Sequence, residues 1–340
     1  MIYVDKNSDI PLYGVDFIGI IDRGTNILEI KPLTLCNLKC RYCFVRAGDY
    51  KNNFILSSNY LLESIKDALT MKGNYDIEIH IAPYGETLLY PELDKLIQGL
   101  WQLKGIERIS MQSNGLLLDD LIINKLEELK LTRINISLNT LNEKKAKYLC
   151  DCESYDVETL LKSIKTLLNT EINVLLAPVW FPGKNDEDIE RIIEYVINLR
   201  NSGYSEQKIQ IGIQKYLIYK TGRKFKRVRP KTWDYFYSQL TILEKKYKIK
   251  LKLGPKDFGI TKRVPIIPLD LKKNTILNAR IISKGRWDNE FIGKISKNVG
   301  IKILLHKKFQ YSGNLIGKEV RVKIIKTNYK DNILTAIFPP

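Results

Sequence analysis

Six short runs that alternate apolar and polar residues, at 26–32, 76–82, 106–112, 132–138, 171–178 and 208–214, are separated by stretches with helical spacing at 58–71, 91–103, 118–130, 156–168 and 185–200. Several of the helical stretches open on Ser, Asp or Pro, which cap a first turn or fit inside it. Strand and helix in regular turn predict a parallel sheet, because two parallel strands need a crossover between them and a helix is the usual one.

The strand faces narrow the choice. In 76–82, Ile77, Ile79 and Ile81 fall on one face and Glu78 and His80 on the other. In 132–138, Ile134, Ile136 and Leu138 oppose Arg133, Asn135 and Ser137. Helices over the apolar face leave the polar face toward an interior, whereas a closed barrel fills its interior with branched apolar side chains. The expected fold is therefore α/β, a partial, TIM-like (β/α)6 barrel with its site in a polar lumen and at the carboxyl ends of the strands. The alternative is a sheet with one wet face, although parallel sheets are usually covered on both sides.

Beyond residue 253 the period is lost. The segment GPKDFGITKRVPIIPLDLKK reads as a linker, and five short alternating runs follow, at 275–283, 290–295, 299–305, 318–326 and 332–338. They predict a small antiparallel β-barrel of the oligonucleotide-binding kind. The expected organisation is a core at 1–258, a linker at 259–272 and the barrel at 273–340. Residues 271–340 hold 15 Lys and Arg against 4 Asp and Glu, most of the excess in a chain of 340 residues with net charge +17. Such a balance points to an anionic partner and says nothing of fold. The first residues lack an apolar core flanked by basic residues, and no run approaches the length that spans a bilayer, so a cytoplasmic protein without a membrane partner is expected.

Three of the five cysteines, Cys36, Cys40 and Cys43, stand as CxxxCxxC directly after the first strand, on a loop at its carboxyl end. In a reducing compartment this spacing suggests a metal or redox site more than a disulfide framework. Three thiolates are one short of the four that complete a cubane cluster, which leaves one iron open to a non-protein ligand. A structural zinc ion, the alternative, takes four ligands, and no histidine or fourth cysteine stands nearby in sequence.

With an aromatic residue, Tyr42, before the third cysteine, the motif resembles that of the radical SAM superfamily, and the resemblance extends over most of residues 15–255. APYGETLLYPEL, residues 82–93, is similar to the family's Gly-Gly-Glu-Pro segment, with Gly85 and Glu86 matched and Tyr84 and Thr87 in place of the first glycine and the proline. MQSNGLLL at 111–118 and INISLNTLN at 134–142 resemble the family's third and fourth strand ends, and PVWFPGKNDEDI at 178–189 the turn after the fifth. The resemblance implies a [4Fe-4S] cluster on Cys36, Cys40 and Cys43, and S-adenosyl-L-methionine held by Gly85 and Glu86. Tyr42, Asn114, Ser137 and Asn139 would lie against that cofactor. It also implies reductive cleavage of the cofactor to a 5'-deoxyadenosyl radical, with electrons from a low-potential donor such as ferredoxin or flavodoxin.

Other residues are open to two readings. Glu78 and His80 are candidate catalytic groups on the lumen face, His80 also a hydrogen-bonded core histidine. Cys150 and Cys152 are candidates for covalent catalysis, or incidental thiols at a helix break. Lys39, Arg41 and Arg46 balance a cluster's charge or are solvated loop cations. KYLIYKTGRKFKRVRPK, residues 215–231, has eight basic residues and no acidic one. It is either a solvated loop or an RNA-binding arm, in which Arg223, Lys224, Lys226 and Arg227 meet phosphates and Phe225 stacks on a base. The C-terminal region resembles the TRAM module in length, strand pattern and charge. Together these lead to a radical SAM enzyme that modifies a nucleotide of RNA, most readily transfer RNA. The alternatives are a radical SAM enzyme acting on a protein or small metabolite, and a non-catalytic RNA-binding iron-sulfur protein. On the RNA reading, a cut near Leu271 is expected to leave cofactor cleavage in the core largely intact while RNA binding drops.

Overall fold

The computed structural model describes residues 1–266, 271–306, 313–328 and 332–340, and the chain falls into two compact units. The first comprises Met1–Leu35, Asp49–Glu107 and Thr261–Pro340, the second Cys36–Gly48 and Arg108–Ile260. The opening part of the first unit holds β1 (Ile2–Val4), β2 (Gly19–Asp22), β3 (Ile27–Lys31), β4 (Phe54–Leu56), α1 (Ser58–Lys72), β5 (Ile77–Ile81) and α2 (Leu93–Trp101). The second unit follows with β6 (Ile106–Ser113), whose first residues belong to the first unit, then α3 (Asp120–Glu128), β7 (Arg133–Ile136), α4 (Glu143–Cys150) and α5 (Val157–Leu168). It continues through β8 (Asn173–Leu176), β9 (Val179–Trp180), α6 (Asp186–Asn201), β10 (Ile209–Ile211), β11 (Gln214–Lys215) and α7 (Trp233–Tyr247). The chain then returns to the first unit with β12 (Ile276–Lys284), β13 (Glu290–Lys294), β14 (Gly300–Leu305), β15 (Glu319–Asn328) and β16 (Ile333–Phe338).

The fold is mixed α/β, and all six expected strands and five expected helices form. In the second unit the strand order is β10-β8-β7-β6, all parallel. In the first, β3 pairs in parallel with β5 and antiparallel with β2, a strand the alternation did not reveal because all four of its residues are buried. The apolar positions read from the sequence are core: Ile77, Ile79, Ile81, Ile134 and Ile136 are fully buried. Local chemistry fixes the helix starts. Asp119, Asn142 and Asp156 accept from the backbone N–H groups of Ile122, Lys145 and Thr159, satisfying donors that a first turn leaves unpaired. No helix among the described residues is long and apolar enough to cross a membrane.

The five C-terminal strands close into a barrel in the order β12-β13-β14-β16-β15 around Ile281, Ile301, Ile303, Val322 and Ile324. It is not wholly antiparallel as expected: β14 and β16 run parallel, because β15 pairs with β12 instead of β14, and β16, antiparallel to β15, fills the place beside β14. Its β13–β14 side packs on the N-terminal segment of the same unit. The Gly300 N–H donates to the Tyr13 carbonyl at 2.7 Å, Lys302 pairs with Asp16 at 2.5 Å, and Lys294 pairs with Asp9. A Cβ on Gly14 would stand 2.0 Å from the Gly300 carbonyl oxygen, so the approach of the two backbones requires glycine. Of the expected linker, Thr261–Ile266 lies along the β2–β3 turn, with Arg263 N–H donating to Gly24 and Ile266 N–H to Asp22; residues 267–270 lie outside the described ones.

Candidate active site

In the second unit, Cys36, Cys40 and Cys43 share a loop whose backbone is held from two sides. Helix α4 supplies one. It ends at Asp151 in the left-handed conformation, and its last carbonyls are met by Arg41, which donates through its N–H to Leu149 at 2.9 Å and through Nε to Tyr148 at 2.7 Å. The Arg41 guanidinium also pairs with Asp151 and lies 4.5 Å from the Tyr148 ring centroid. A cation at a helix C-terminus offsets the negative end of the helix dipole. Arg223 supplies the other. Its guanidinium donates to the carbonyls of Cys40 at 3.0 Å and Ala47 at 2.7 Å, and its N–H to Cys43 at 2.8 Å.

Cys150 closes α4 with its thiol hydrogen-bonded to that of Cys40. That bond and burial hold the Cys40 thiol well above the usual thiol range, and burial pushes Cys43 up as well. No disulfide joins any of the five cysteines. Cys152 stands apart, its Sγ 3.3 Å from Ser154 Oγ. Among the described residues no three His, Cys, Asp or Glu side chains converge on one metal ion. A cubane distributes its thiolates over separate irons, so the donor set, three thiols on one braced loop, suits a cluster.

The strand ends bring further expected residues to this loop. Asn114 Nδ2 donates to Asn37 Oδ1 at 2.8 Å, between the first two cysteines. Asn139 Nδ2 donates to the Tyr42 hydroxyl at 2.5 Å while its Oδ1 accepts from Val179 N–H at 2.7 Å, so Asn139 fixes the Tyr42 ring. Ser137 Oγ accepts from Gln112 Nε2 at 3.0 Å.

In the first unit, Gly85 follows β5 where a Cβ would meet the Leu35 carbonyl oxygen at 2.0 Å. Glu86 is buried, donates its N–H to that carbonyl at 2.7 Å, and accepts from Leu88 N–H at 3.1 Å. The preceding Tyr84 has Lys31 Nζ 4.4 Å above its ring. Lys31, almost wholly buried, also pairs with Glu29 and donates to the Ala82 carbonyl. Glu78 is buried, and His80, half-buried, lies opposite Glu29 in the β3–β5 register. Burial opposes ionisation of Glu29, but Lys31 and Arg23 outweigh it and hold its carboxyl below the usual range. The polar face is thus charged and internally paired.

Two expectations about the 215–231 arm are corrected. Phe225 is 7% exposed, packed in a cluster with Phe181, Tyr216 and Val228, so its ring is closed to a base. Arg223 is committed to the cysteine loop. Its arginine signal was visible in the sequence, but only the fold shows which carbonyls it meets. Lys224, Lys226 and Arg227 remain exposed.

The family model described as radical SAM superfamily matches residues 30–196. An uncharacterized protein of Methanocaldococcus jannaschii is 36% identical across 97% of this chain and 79% of its own length. A probable GTP 3',8-cyclase of Saccharolobus islandicus is 32% identical over 183 residues, 53% of this chain and 56% of that protein. Among solved structures, Streptococcus suis SuiB bound to S-adenosylmethionine matches 67% of this chain and 51% of its own at 19% identity and TM-score 0.51. The hydrogenase maturase HydG of Carboxydothermus hydrogenoformans matches 64% of this chain and 50% of its own at 15% identity and TM-score 0.53. At these identities the likeness shows a shared TIM-like fold, and the chain spans about half the length of the cyclase and of both solved structures. Members of the matched family bind a [4Fe-4S] cluster and S-adenosylmethionine.

Proposed function

The chain belongs to the radical SAM superfamily, and from that premise we propose that it is an RNA-modifying enzyme, acting on transfer RNA. Cys36, Cys40 and Cys43 hold the cluster, and Gly85 with Glu86 forms the edge that receives the methionyl end of S-adenosylmethionine. When bound, the two cofactors supply reductive cleavage of the sulfonium and a radical that abstracts hydrogen from carbon. The chain's own part is placement. Arg223 and the end of α4 hold the cysteine loop, Asn139 holds Tyr42, and the buried Glu86 offers a fixed carboxylate to an ammonium group. Electrons come from a low-potential donor such as ferredoxin or flavodoxin.

The observation that carries the RNA reading is the outward side of β12 and β15. Arg280 and Lys284 of β12 and Arg321 and Lys326 of β15 are exposed there among buried Ala279, Ile281, Val320, Val322 and Ile324, with Lys318 exposed just before β15 and the exposed Glu319 opposite Arg280. Such a face suits a phosphate backbone, whose contacts position a nucleic acid without reading its sequence. The strand order fits an oligonucleotide-binding barrel. The face such barrels commonly use, their second and third strands, is here packed on the N-terminal segment, which leaves β12–β15 as the side open to RNA. The likeness to GTP 3',8-cyclases favours a second reading, a small nucleotide as substrate. The reconstituted, reduced enzyme separates them. Formation of 5'-deoxyadenosine that rises on adding transfer RNA from a deletion strain, with a new modified nucleoside by mass spectrometry, is expected. A rise with GTP alone and none with RNA would establish the second.

A further inference from the structure

The arm that loses Phe225 and Arg223 as RNA contacts keeps another cluster of candidates. In the second unit, Arg227, Arg229 and Lys231 line, with Pro182 and Val228, an open cleft of about 400 Å³. Helix α7 begins two residues after Lys231. Lys231 Nζ lies 5.3 Å from the Tyr235 ring centroid, and Lys215 Nζ lies 4.8 Å from that of Trp233. Tyr235 stacks on buried Trp180 at 6.1 Å and 15°, and Tyr237 on Trp233 at 5.8 Å and 24°. Yet Trp233 remains 50% exposed, Tyr235 40% and Tyr237 48%. Asp234 is the acid in this first turn.

Three aromatic rings half in water on one helix are not explained by the core, which takes only Phe236 and Leu240 from α7. Rings pinned by neighbouring rings, beside a cleft walled with guanidinium and ammonium groups, combine the two parts of a single-strand site: cations for phosphates and flat faces for bases. An acidic peptide would use the cations and leave the rings idle.

We propose that this cleft binds single-stranded RNA, with phosphates among Arg227, Arg229 and Lys231 and bases on Trp233, Tyr235 and Tyr237. The assignment rests on the RNA reading and adds a second contact surface, on the unit that carries the cysteine loop.

The test titrates full-length reconstituted protein with an oligouridylate of about 12 nucleotides, within the length one such site spans, and with a duplex of equal length, following tryptophan fluorescence. The single strand is expected to bind more tightly than the duplex and to quench emission. Trp233→Ala and Tyr235→Ala should each weaken binding about 5- to 150-fold, with the salt slope unchanged, and Trp233→Phe should recover most of the loss. Replacing Arg227, Arg229 and Lys231 together with Gln should flatten the log-log salt slope by about 2. RNA binding that all these variants retain at full strength overturns this site and leaves the RNA reading standing. Competition by polyglutamate as effective as by oligouridylate, with no dependence on Trp233, assigns the cleft to an acidic protein instead. No RNA affinity in the unaltered chain overturns the site and the RNA reading together.

Discussion

Arg286 and Glu290 form a two-pronged ion pair, Nε and one terminal nitrogen donating to the two carboxylate oxygens at 3.0 and 2.9 Å, with both side chains about 97–98% buried. The guanidinium lies 4.3 Å from the Phe17 ring centroid, 5.3 Å from that of Tyr50 and 5.8 Å from that of Tyr84, the residue before Gly85. Its carbonyl accepts from Lys51 N–H at 2.9 Å. The first hairpin of the barrel is therefore built into the same unit as the Tyr84–Glu86 segment.

A charge buried this way is costly to orphan. Glu290→Leu alone should destabilise the protein by about 3 to 5 kcal/mol, and Arg286→Met combined with Glu290→Leu should recover most of that. Urea melts of the parent, the single and the double variants give the coupling. With Arg286→Met measured alone as well, a double-variant loss equal to the sum of the two single losses would show that the pair itself is unimportant.

The same contacts reverse the expectation for a cut near Leu271. Removing the barrel strips Phe17 and Tyr50 of the Arg286 guanidinium, leaves Tyr84 with Lys31 alone, and leaves Asp9 and Asp16 without Lys294 and Lys302. The truncated chain is expected to bind S-adenosylmethionine weakly and to melt earlier, by calorimetry and circular dichroism. Unchanged affinity in the fragment would show the barrel to be an independent appendage.

Acid should act through Asp16. Burial opposes its ionisation, but Lys302 and Arg286 prevail and hold its carboxyl below the usual carboxylate range. A depressed folded value contributes stability above the unfolded value, about 3.9, and that contribution disappears as pH falls through the folded value. Stability should thus decline on acidification below about pH 4.5, and Asp16→Asn should decline less steeply while starting lower. Parallel pH profiles for the two proteins would remove Asp16 from this role.

At the cofactor edge, Gly85→Ala is expected to abolish measurable S-adenosylmethionine binding by calorimetry, because the new Cβ would stand 2.0 Å from the Leu35 oxygen and 2.7 Å from its carbon. Because Leu35 adjoins Cys36 in the chain, iron retained while the cofactor is lost would place the damage at this edge, and iron lost with it would show that the clash also displaces the cysteine loop. Unchanged S-adenosylmethionine affinity would remove Gly85 from the edge.

Iron loading separates the cysteines. Reconstituted protein should bind about four irons, and Cys36→Ala, Cys40→Ala or Cys43→Ala should each lose them, whereas Cys152→Ala keeps them. Arg223→Met should release iron to a chelator several-fold faster than the parent, since the guanidinium makes two of the three carbonyl contacts to the loop, the third coming from its backbone N–H. If Arg223→Met holds iron as long as the parent but binds RNA less well, Arg223 belongs with the phosphate contacts after all.

The sequence by itself determined the repeating pattern, the faces and the spacing of the three thiols on the cysteine loop. Alternation at Ile77, Ile79 and Ile81 needs only the two-residue period of a strand, and caps such as Asp119 and Asn142 act within one turn. CxxxCxxC and Gly85-Glu86 were legible because each motif is local in the chain. What the tertiary structure decided was the partner of each long-range side chain. Nothing near position 223 says that its guanidinium meets the carbonyls of Cys40 and Ala47, or that Cys150 ends its helix against Cys40. Phe225 reads as a stacking residue from its basic neighbours, but burial is set by Phe181 and Tyr216, far away in sequence. The barrel strands were visible by their period, while its attachment through Gly300, Arg286 and Lys302 depended on surfaces that meet only once the chain has folded.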